Sequence, residues 1–312
     1  QACGLRGQFT AAIAAAALTA GTTTSGTLGT GFASTADQYR GMPLILSGAS
    51  APGSGRMPLV VSYSAAKEAL LSDLYGTALS TSTMAALPAN WSYAGTSPAD
   101  ATARATDQPF ATIYYYEDGV LRQWVDCRGV FEAEGQSARP GIGKFSFSGI
   151  YMGKTDVAVP NAVVAGHSAP LLLKGTNLPP AMQVNRRSLP ISRWSLSNGG
   201  QIETPDDPNT VAGFGAGQIG GRKPMFEADP LSTLVAARDV IAEIAAYANY
   251  PVALQFGSTA GNRLSILLPV AQPVEATPGM RGSFRSETTR WQALNPGDDA
   301  YARDGDVILC FS

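Results

Sequence analysis

Polar and apolar positions alternate most clearly between residues 110 and 151, FATIYYYEDGVLRQWVDCRGVFEAEGQSARPGIGKFSFSGIY. From Ala111 to Glu117, Thr112, Tyr114 and Tyr116 share one face while Ile113 and Tyr115 take the other, a period of two that suits a pleated strand. Asp118-Gly119 offers two residues tolerant of positive φ and predicts a tight hairpin into a return strand over Val120 to Val125. Two further strands are predicted at Cys127 to Glu134 and at Lys144 to Tyr151, where Lys144, Ser146 and Ser148 oppose Phe145 and Phe147. The pattern describes an antiparallel sheet with one face in a core and the other wet.

Elements elsewhere are shorter. Met42 to Leu46 and Met57 to Tyr63, separated by SGASAPGSGR, read as a strand pair. Ser64 caps a predicted helix in which Ala66, Leu70, Leu71 and Leu74 fall at helical spacing, with Gly76 as its stop. Ala-, Thr-, Ser- and Pro-rich sequence around Trp91 and Tyr93 then joins this small unit to the hairpin. After Tyr151 come strand-like pieces broken by prolines, a strand at Arg193 to Leu196 and the polar loop QIETPDDPN.

A longer helix is predicted at about 230–249. Asp229 is its N-cap, Pro230 its first turn, and Leu231, Leu234, Val235, Arg238, Ile241, Ile244, Ala245 and Ala248 its largely apolar stripe, with Pro251 beyond its end. Strands are predicted again at Val252 to Phe256, Arg263 to Val270, Gly282 to Trp291 and Asp306 to Phe311. Helices do not alternate with strands. The predicted class is therefore mainly β (α+β): an antiparallel β-sandwich or barrel with one flanking helix and a small α/β unit.

The first residues are harder to place. FTAAIAAAALTA (residues 9–20) is too short to span a bilayer and lacks a basic leader, so it reads as a buried helix or strand and not a targeting signal. GTTTSGTLGTGFAST (residues 21–35) reads as a mobile loop or the tip of a long hairpin. An opening Gln1 in place of Met suggests a processed or incomplete product.

Composition narrows the functional classes. Only 15% of the residues are charged against 45% apolar, which implies that part of the surface is covered by something other than water. A net charge of −2 without a basic stripe argues against tight gripping of nucleic acid. Cys3, Cys127 and Cys310 cannot all pair and lack metal-ligand spacing, so a reduced compartment is expected. His167 is the single histidine, which leaves little room for Ser-His-Asp, Cys-His or zinc chemistry.

The remaining candidate motifs have ordinary readings. Gly215-Ala216-Gly217-Gln218-Ile219-Gly220 matches the dinucleotide fingerprint, but Pro224 forbids the helix start that such a site needs, and a flexible turn is expected. Asp298, Asp299, Asp304 and Asp306 match no EF-hand spacing and read as a solvated turn. His167, between Gly166 and Ser168, reads as a loop histidine. Tyr114, Tyr115, Tyr116 and Trp124 suit core and interface packing better than base or sugar stacking. No metal, cofactor or catalytic site emerges.

QACG at the start, ATIYYYEDGVLRQWVDCRGVFEAEG, GKFSFSGIYMGKTDVAVP, GRKPMFEAD and FGSTAGNRLSILLPVAQ occur in an order that resembles the major tail tube proteins of long, non-contractile-tailed bacteriophages. The resemblance covers residues 110–312 and the first four. It implies a non-enzymatic virion protein whose hexameric rings stack into a tube for the tape-measure protein and then DNA. Its expected partners are copies of itself, the tail terminator and distal tail proteins; it meets no membrane, and it is placed in the virion tail and, during assembly, in the host cytoplasm. Tyr114, Tyr116, Trp124 and Arg128 are the candidate assembly-interface residues. Three parts are expected: 1–36 as a segment of the tube domain, 37–105 as an inserted subdomain, and 106–312 as the tail-tube β domain. The stretch from Asp37 to Pro98 is expected outside the tube, where its deletion leaves polymerisation intact.

Two other classes compete. A surface β-sandwich would recognise glycans or receptors through aromatics such as Trp91, Tyr93 or Trp124. An enzyme working with Asp and Glu alone ranks last, because no carboxylate pair stands out in an apolar setting.

Overall fold

A computed structural model describes residues 2–95, 109–161, 169–170, 172–174, 181–210, 213–296 and 305–312. The chain leaves its N-terminus through β1 (Arg6–Thr10) and returns through β9 (Asn90–Ala94), which pair antiparallel with Thr10 opposite Asn90. Between them lie β2 (Ile13–Ala17), β3 (Ala20–Gly21), β4 (Ser25–Thr27), β5 (Ile45–Ser47), β6 (Val60–Tyr63), β7 (Glu68–Leu71) and β8 (Met84–Leu87). They form two small sheets, β2-β8-β5 and β3-β4-β7-β6, around a core that holds Leu18, Leu28, Phe32, Met42, Tyr63 and Leu87. The expected strand pair is present: Leu44 donates to the carbonyl of Pro58 and Val60 to that of Met42.

This unit is entirely β, so the predicted α/β character is corrected. The Ser64 hydroxyl does accept from Glu68 N, as a cap would, but Lys67 at φ +65° turns the chain back along β6, with Tyr63 opposite Ala69. A helix this short is marginal without tertiary support, whereas pairing buries Ala69 and Leu71. The expected boundary at residue 36 also moves, because Leu18, Leu28 and Phe32 share one core with Met42, Leu44 and Tyr63. Residues 9–20 are strand in part but not uniformly buried: Leu18 is enclosed and Phe9 is exposed. Residues 21–35 contain a short hairpin, β3–β4, and then a stretch that places Phe32 in the core.

The inserted unit is docked, not tethered. Leu59 and Val61 pack on Ala253 and Leu267, and beside them the buried Gln183 donates to Asp73 Oδ1 (3.0 Å) while Arg186 Nε donates to the Leu71 carbonyl (2.9 Å).

The large sheet begins with β10 (Ala111–Glu117), β11 (Val120–Gln136) and β12 (Ile142–Asp156). The two strands expected over 120–134 are one, bent by an irregularity between Val125 and Arg128. After it come β13 (Met182–Val184), β14 (Arg187–Ser188), β15 (Arg193–Ser197), β16 (Gln201–Glu203), β17 (Gln218–Gly221), β18 (Met225–Ala228), the helix α1 (Val240–Ala245), β19 (Tyr250–Thr259), β20 (Asn262–Arg281), β21 (Phe284–Leu294) and β22 (Ile308–Phe311). Among the described residues, thirteen strands join one antiparallel sheet with the path β1-β9-β22-β20-β21-β18-β15-β11-β10; β12 lies on the other edge of β11, and β19 joins β20 to β13. In its core Trp194 stacks on Phe226 at 6.3 Å between ring centroids, and Trp291 meets Phe226 tilted at 5.9 Å. The mainly-β class holds.

The helix expected over about 230–249 shrinks to Val240–Ala245, with Asp239 as its N-cap. Asp229 is committed elsewhere: its Oδ1 accepts from the backbone of Ser192 and Arg193, both at 2.8 Å. The Pro230 carbonyl accepts from Glu287 N (2.9 Å) and Ser232 N donates to the Arg285 carbonyl (3.0 Å), so the segment runs as a partial strand on the edge of β21. Pairing to a preformed edge defeats the local helical pattern and leaves Leu234 and Val235 81% and 74% exposed.

Candidate assembly interface

β11 passes through two environments. Its second half, Glu132 to Gln136, lies between β12 and β15; its first half lies between β12 and β10 and forms a three-stranded arm that leaves the core. Asp118 (φ +47°) and Gly119 (φ +81°) make the expected tight turn at its tip.

Three of the sequence motifs meet at the base of this arm. Asp126 at φ +52° sits in the irregularity of β11, where an extra residue bends the strand and raises its twist. Gly129 lies under the Phe147 ring, which a Cβ there would approach to 2.5 Å; Gly149 lies against Cys127, whose Sγ a Cβ would approach to 2.3 Å. The glycines of Cys127-Arg128-Gly129 and of Phe145-Ser146-Phe147-Ser148-Gly149 are thus the two halves of one close approach. The N-terminal residues complete it: Gly129 N donates to the Ala2 carbonyl (2.9 Å) and Asn198 Nδ2 to the Cys3 carbonyl (3.0 Å). Arg128 is buried with its guanidinium 4.1 Å from the Phe110 ring centroid.

Along the arm, Tyr114 and Tyr116 share a face with Leu121 and Gln123, while Trp124 shares the opposite face with Ile113 and Tyr115 and meets Tyr151 at 5.4 Å. Tyr114, Tyr115, Tyr151 and Met152 are exposed. The expectation of one wet and one buried face fails on β12, where every residue from Ile142 to Ser148 is exposed and Phe145 reaches 63%. Among the described residues, the outer edges of β10 and β12 pair with no further strand. The four candidate residues therefore divide: Tyr114 and Tyr116 on one face of the arm, Trp124 on the other, and Arg128 inside its base.

The chemistry-bearing candidates form no site, although Cys127 lies against Gly149 at the arm's base and a Cβ on Gly217 would come 3.3 Å from the Ser148 carbonyl oxygen. Gly215 to Gly220 runs into β17, followed by β18 and not by a helix, so no helix N-terminus faces a phosphate there. Half of the expected turn is strand. Asp306 pairs with Arg222 and accepts from Val307 N (2.8 Å); His167, Asp298, Asp299 and Asp304 lie outside the described residues. All three thiols are free and buried, and burial pushes their pKa values up, that of Cys310 to about 12. Such thiols are poor nucleophiles. Burial likewise pushes Tyr250 up to about 12, in a network where its hydroxyl donates to Glu243 (2.7 Å) and accepts from Trp291 Nε1 (3.1 Å). Arg238 pairs with the same Glu243 at 2.9 Å, and together these groups clamp α1 to the core. Among the described residues no group of three His, Cys, Asp or Glu side chains could hold a metal, and no helix is long and apolar enough to cross a membrane.

No protein-family model matches this sequence, and no curated protein matches it.

One feature escaped the sequence. Phe9, Trp91 and Phe311 are in direct register across β1, β9 and β22, an exposed aromatic row with Tyr93 stacked beside Trp91 at 6.4 Å. Its members are separated by more than 80 residues at the nearest, and only the pairing of β1 with β9 and of β9 with β22 brings them together.

Proposed function

We propose that the chain is a structural subunit that assembles with copies of itself into hexameric rings, stacked as a tube that carries the tape-measure protein and DNA in a phage tail. The observation that carries this reading is the arm: it bears exposed aromatic side chains on both faces, Tyr114 on one and Tyr115 and Tyr151 on the other, and the outer edges of β10 and β12 are unpaired among the described residues. An exposed, partly apolar edge is a pairing template that natural proteins cover or close. The two edges belong to different strands, so a contact between β12 of one copy and β10 of the next is head-to-tail and closes a ring when the rotation fits. The resemblance in motif order, together with the meeting of three of those motifs at the arm's base, supports the tail-tube reading. Negative-stain electron microscopy with sedimentation over a concentration series tests it: sixfold rings or hollow tubes are expected, and a monomer at every concentration overturns it.

The aromatic row favours one second reading, a glycan-binding surface on which sugar rings stack against Phe9, Trp91 and Phe311. Glycan-array binding by the monomer, lost in Trp91→Ala, would favour it.

A further inference from the structure

The outer edge of β11 changes partner at the arm's base. Its pairing with β10 ends where Ala111 meets Cys127, and its pairing with β15 begins where Glu132 meets Ser197, so Arg128 to Phe131 lie between the two partners. The N-terminal residues bridge that interval. Gly129 N donates to the Ala2 carbonyl (2.9 Å), while Asn198, just past β15, donates through its backbone to the Phe131 carbonyl (3.1 Å) and through Nδ2 to the Cys3 carbonyl (3.0 Å). Arg222, just past β17, donates through Nη1 to the Gly4 carbonyl (3.1 Å) and pairs with Asp306. Three consecutive carbonyls are thus held by donors from three separate parts of the chain.

This segment is a strap and not a strand. Residues 2–4 form a turn with Gly4 at φ +80°, and Cys3 and Leu5 are buried in the main core. It contributes no ladder, so lifting it breaks a few separate bonds while the pairing of β11 with β12 stays whole from Arg128 to Glu134. The strap crosses the point where the arm is best able to pivot. β11 has its irregularity between Val125 and Arg128, Asp126 is at φ +52°, and beyond it the outer edges of β10 and β12 have no sheet neighbour among the described residues.

We infer that residues 2–5 are a latch that fixes the arm's angle to the sheet, and that lifting it frees the arm to swing about residues 126–129. Few bonds hold the arm beyond its own three strands, so a tie across the pivot sets how freely that unit opens. The consequence for rings rests on the assembly reading: a latched arm presents its edges in one orientation, and ordering it is then part of folding and no longer opposes association.

The three cysteines report on the latch separately. Cys3 lies in the strap, Cys127 at the pivot against Gly149, and Cys310 in the core of the insert; all three are free and buried. Asn198→Ala removes one of the strap's holds, Leu5→Ala removes its buried anchor, and neither alters β11. Maleimide labelling of the full chain, resolved cysteine by cysteine by mass spectrometry at concentrations that keep it monomeric, should quicken by about tenfold or more at Cys3 and Cys127 in both variants, since one buried hydrogen bond or a truncated buried side chain is worth at least such a factor. Cys310 should stay as slow as in wild type. Quickening at Cys3 with Cys127 unchanged would overturn the inference; so would no change at either thiol, or equal quickening at all three, which is general loosening. Electron microscopy reads the consequence, with rings expected to need more protein in the variants. A wild type that never forms rings overturns the assembly reading and leaves the thiols to decide the latch.

Discussion

Gly149→Ala probes the arm's base directly. Its Cβ would lie 2.3 Å from Cys127 Sγ, 2.8 Å from the Val125 carbonyl oxygen and 3.0 Å from Cys127 Cα, so moving the thiol alone cannot make room. The backbone of the irregularity must open. Overpacking of this kind costs about 1–3 kcal/mol, and at roughly 2–4 °C per kcal/mol for a chain of this size the melting temperature should fall by about 2–12 °C. Circular dichroism melts at concentrations that keep the chain monomeric measure this, and reaction of Cys127 with an aromatic disulfide reagent should quicken as the buried thiol is uncovered. Cys127→Ala in the same background removes the nearest atom but not the carbonyl, so it should recover part of the loss and no more. A Gly149→Ala variant with a wild-type melt and a silent Cys127 would refute the idea that the two glycine motifs form one close approach.

Other expectations concern the bend, the insert and the response to alkali. Asp126→Gly relieves a left-handed backbone and should be neutral or stabilising by up to about 1 kcal/mol, whereas Asp126→Val should destabilise; urea unfolding distinguishes them, and equal midpoints would count against the strained bend. Leu59→Ala, fully buried between the insert and β20, should cost about 2–5 kcal/mol; a loss under 1 kcal/mol would mean that the insert is not docked. Deleting residues 37–98 is now expected to damage folding, not to leave polymerisation intact, because it strips Leu18, Leu28 and Phe32 of their core and uncovers Ala253 and Leu267; an unchanged melt of the deletion variant would contradict this. Tyr63 and Tyr250 are pushed up to about 12 from 10, and Cys310 to about 12 from 9, so above pH 9 the unfolded chain releases protons that the folded chain keeps. Stability should therefore be complete below pH 9 and fall between pH 9 and 12, less steeply in Tyr250→Phe; a melting temperature flat across that range would refute it.

What the sequence made legible was local. Asp118-Gly119 specifies its hairpin because both φ values are set by the residues themselves, and the alternation over 111–117 marks its strand without reference to anything distant. The misread helices failed for the opposite reason. Asp229 and Pro230 look like a helix start until their oxygens are seen to serve Ser192, Arg193 and Glu287, partners 36 to 57 positions away. Ser64 to Leu74 looks helical until β4 and β6 offer β7 a sheet to fill. The glycines at 129 and 149 could be seen in the sequence, but their cause, one ring and one thiol across a bent strand pair, is a matter of register. Trp91 and Tyr93 stood out locally, but their alignment with Phe9 and Phe311 had no local signal.

The insert enters and leaves at Thr10 and Asn90, which face each other across one strand pair. Residues so placed are about 5 Å apart, the spacing of an ordinary tight hairpin. The large sheet therefore meets the same closure whether a two-residue turn or a 79-residue module sits between them. A gene could gain, lose or exchange such a module in one event without redesigning the sheet's pairing, provided the newcomer covered Ala253 and Leu267 as the present one does. Seen this way β1 and β9 are a socket, and a polymer of this chain would carry one interchangeable module on every copy.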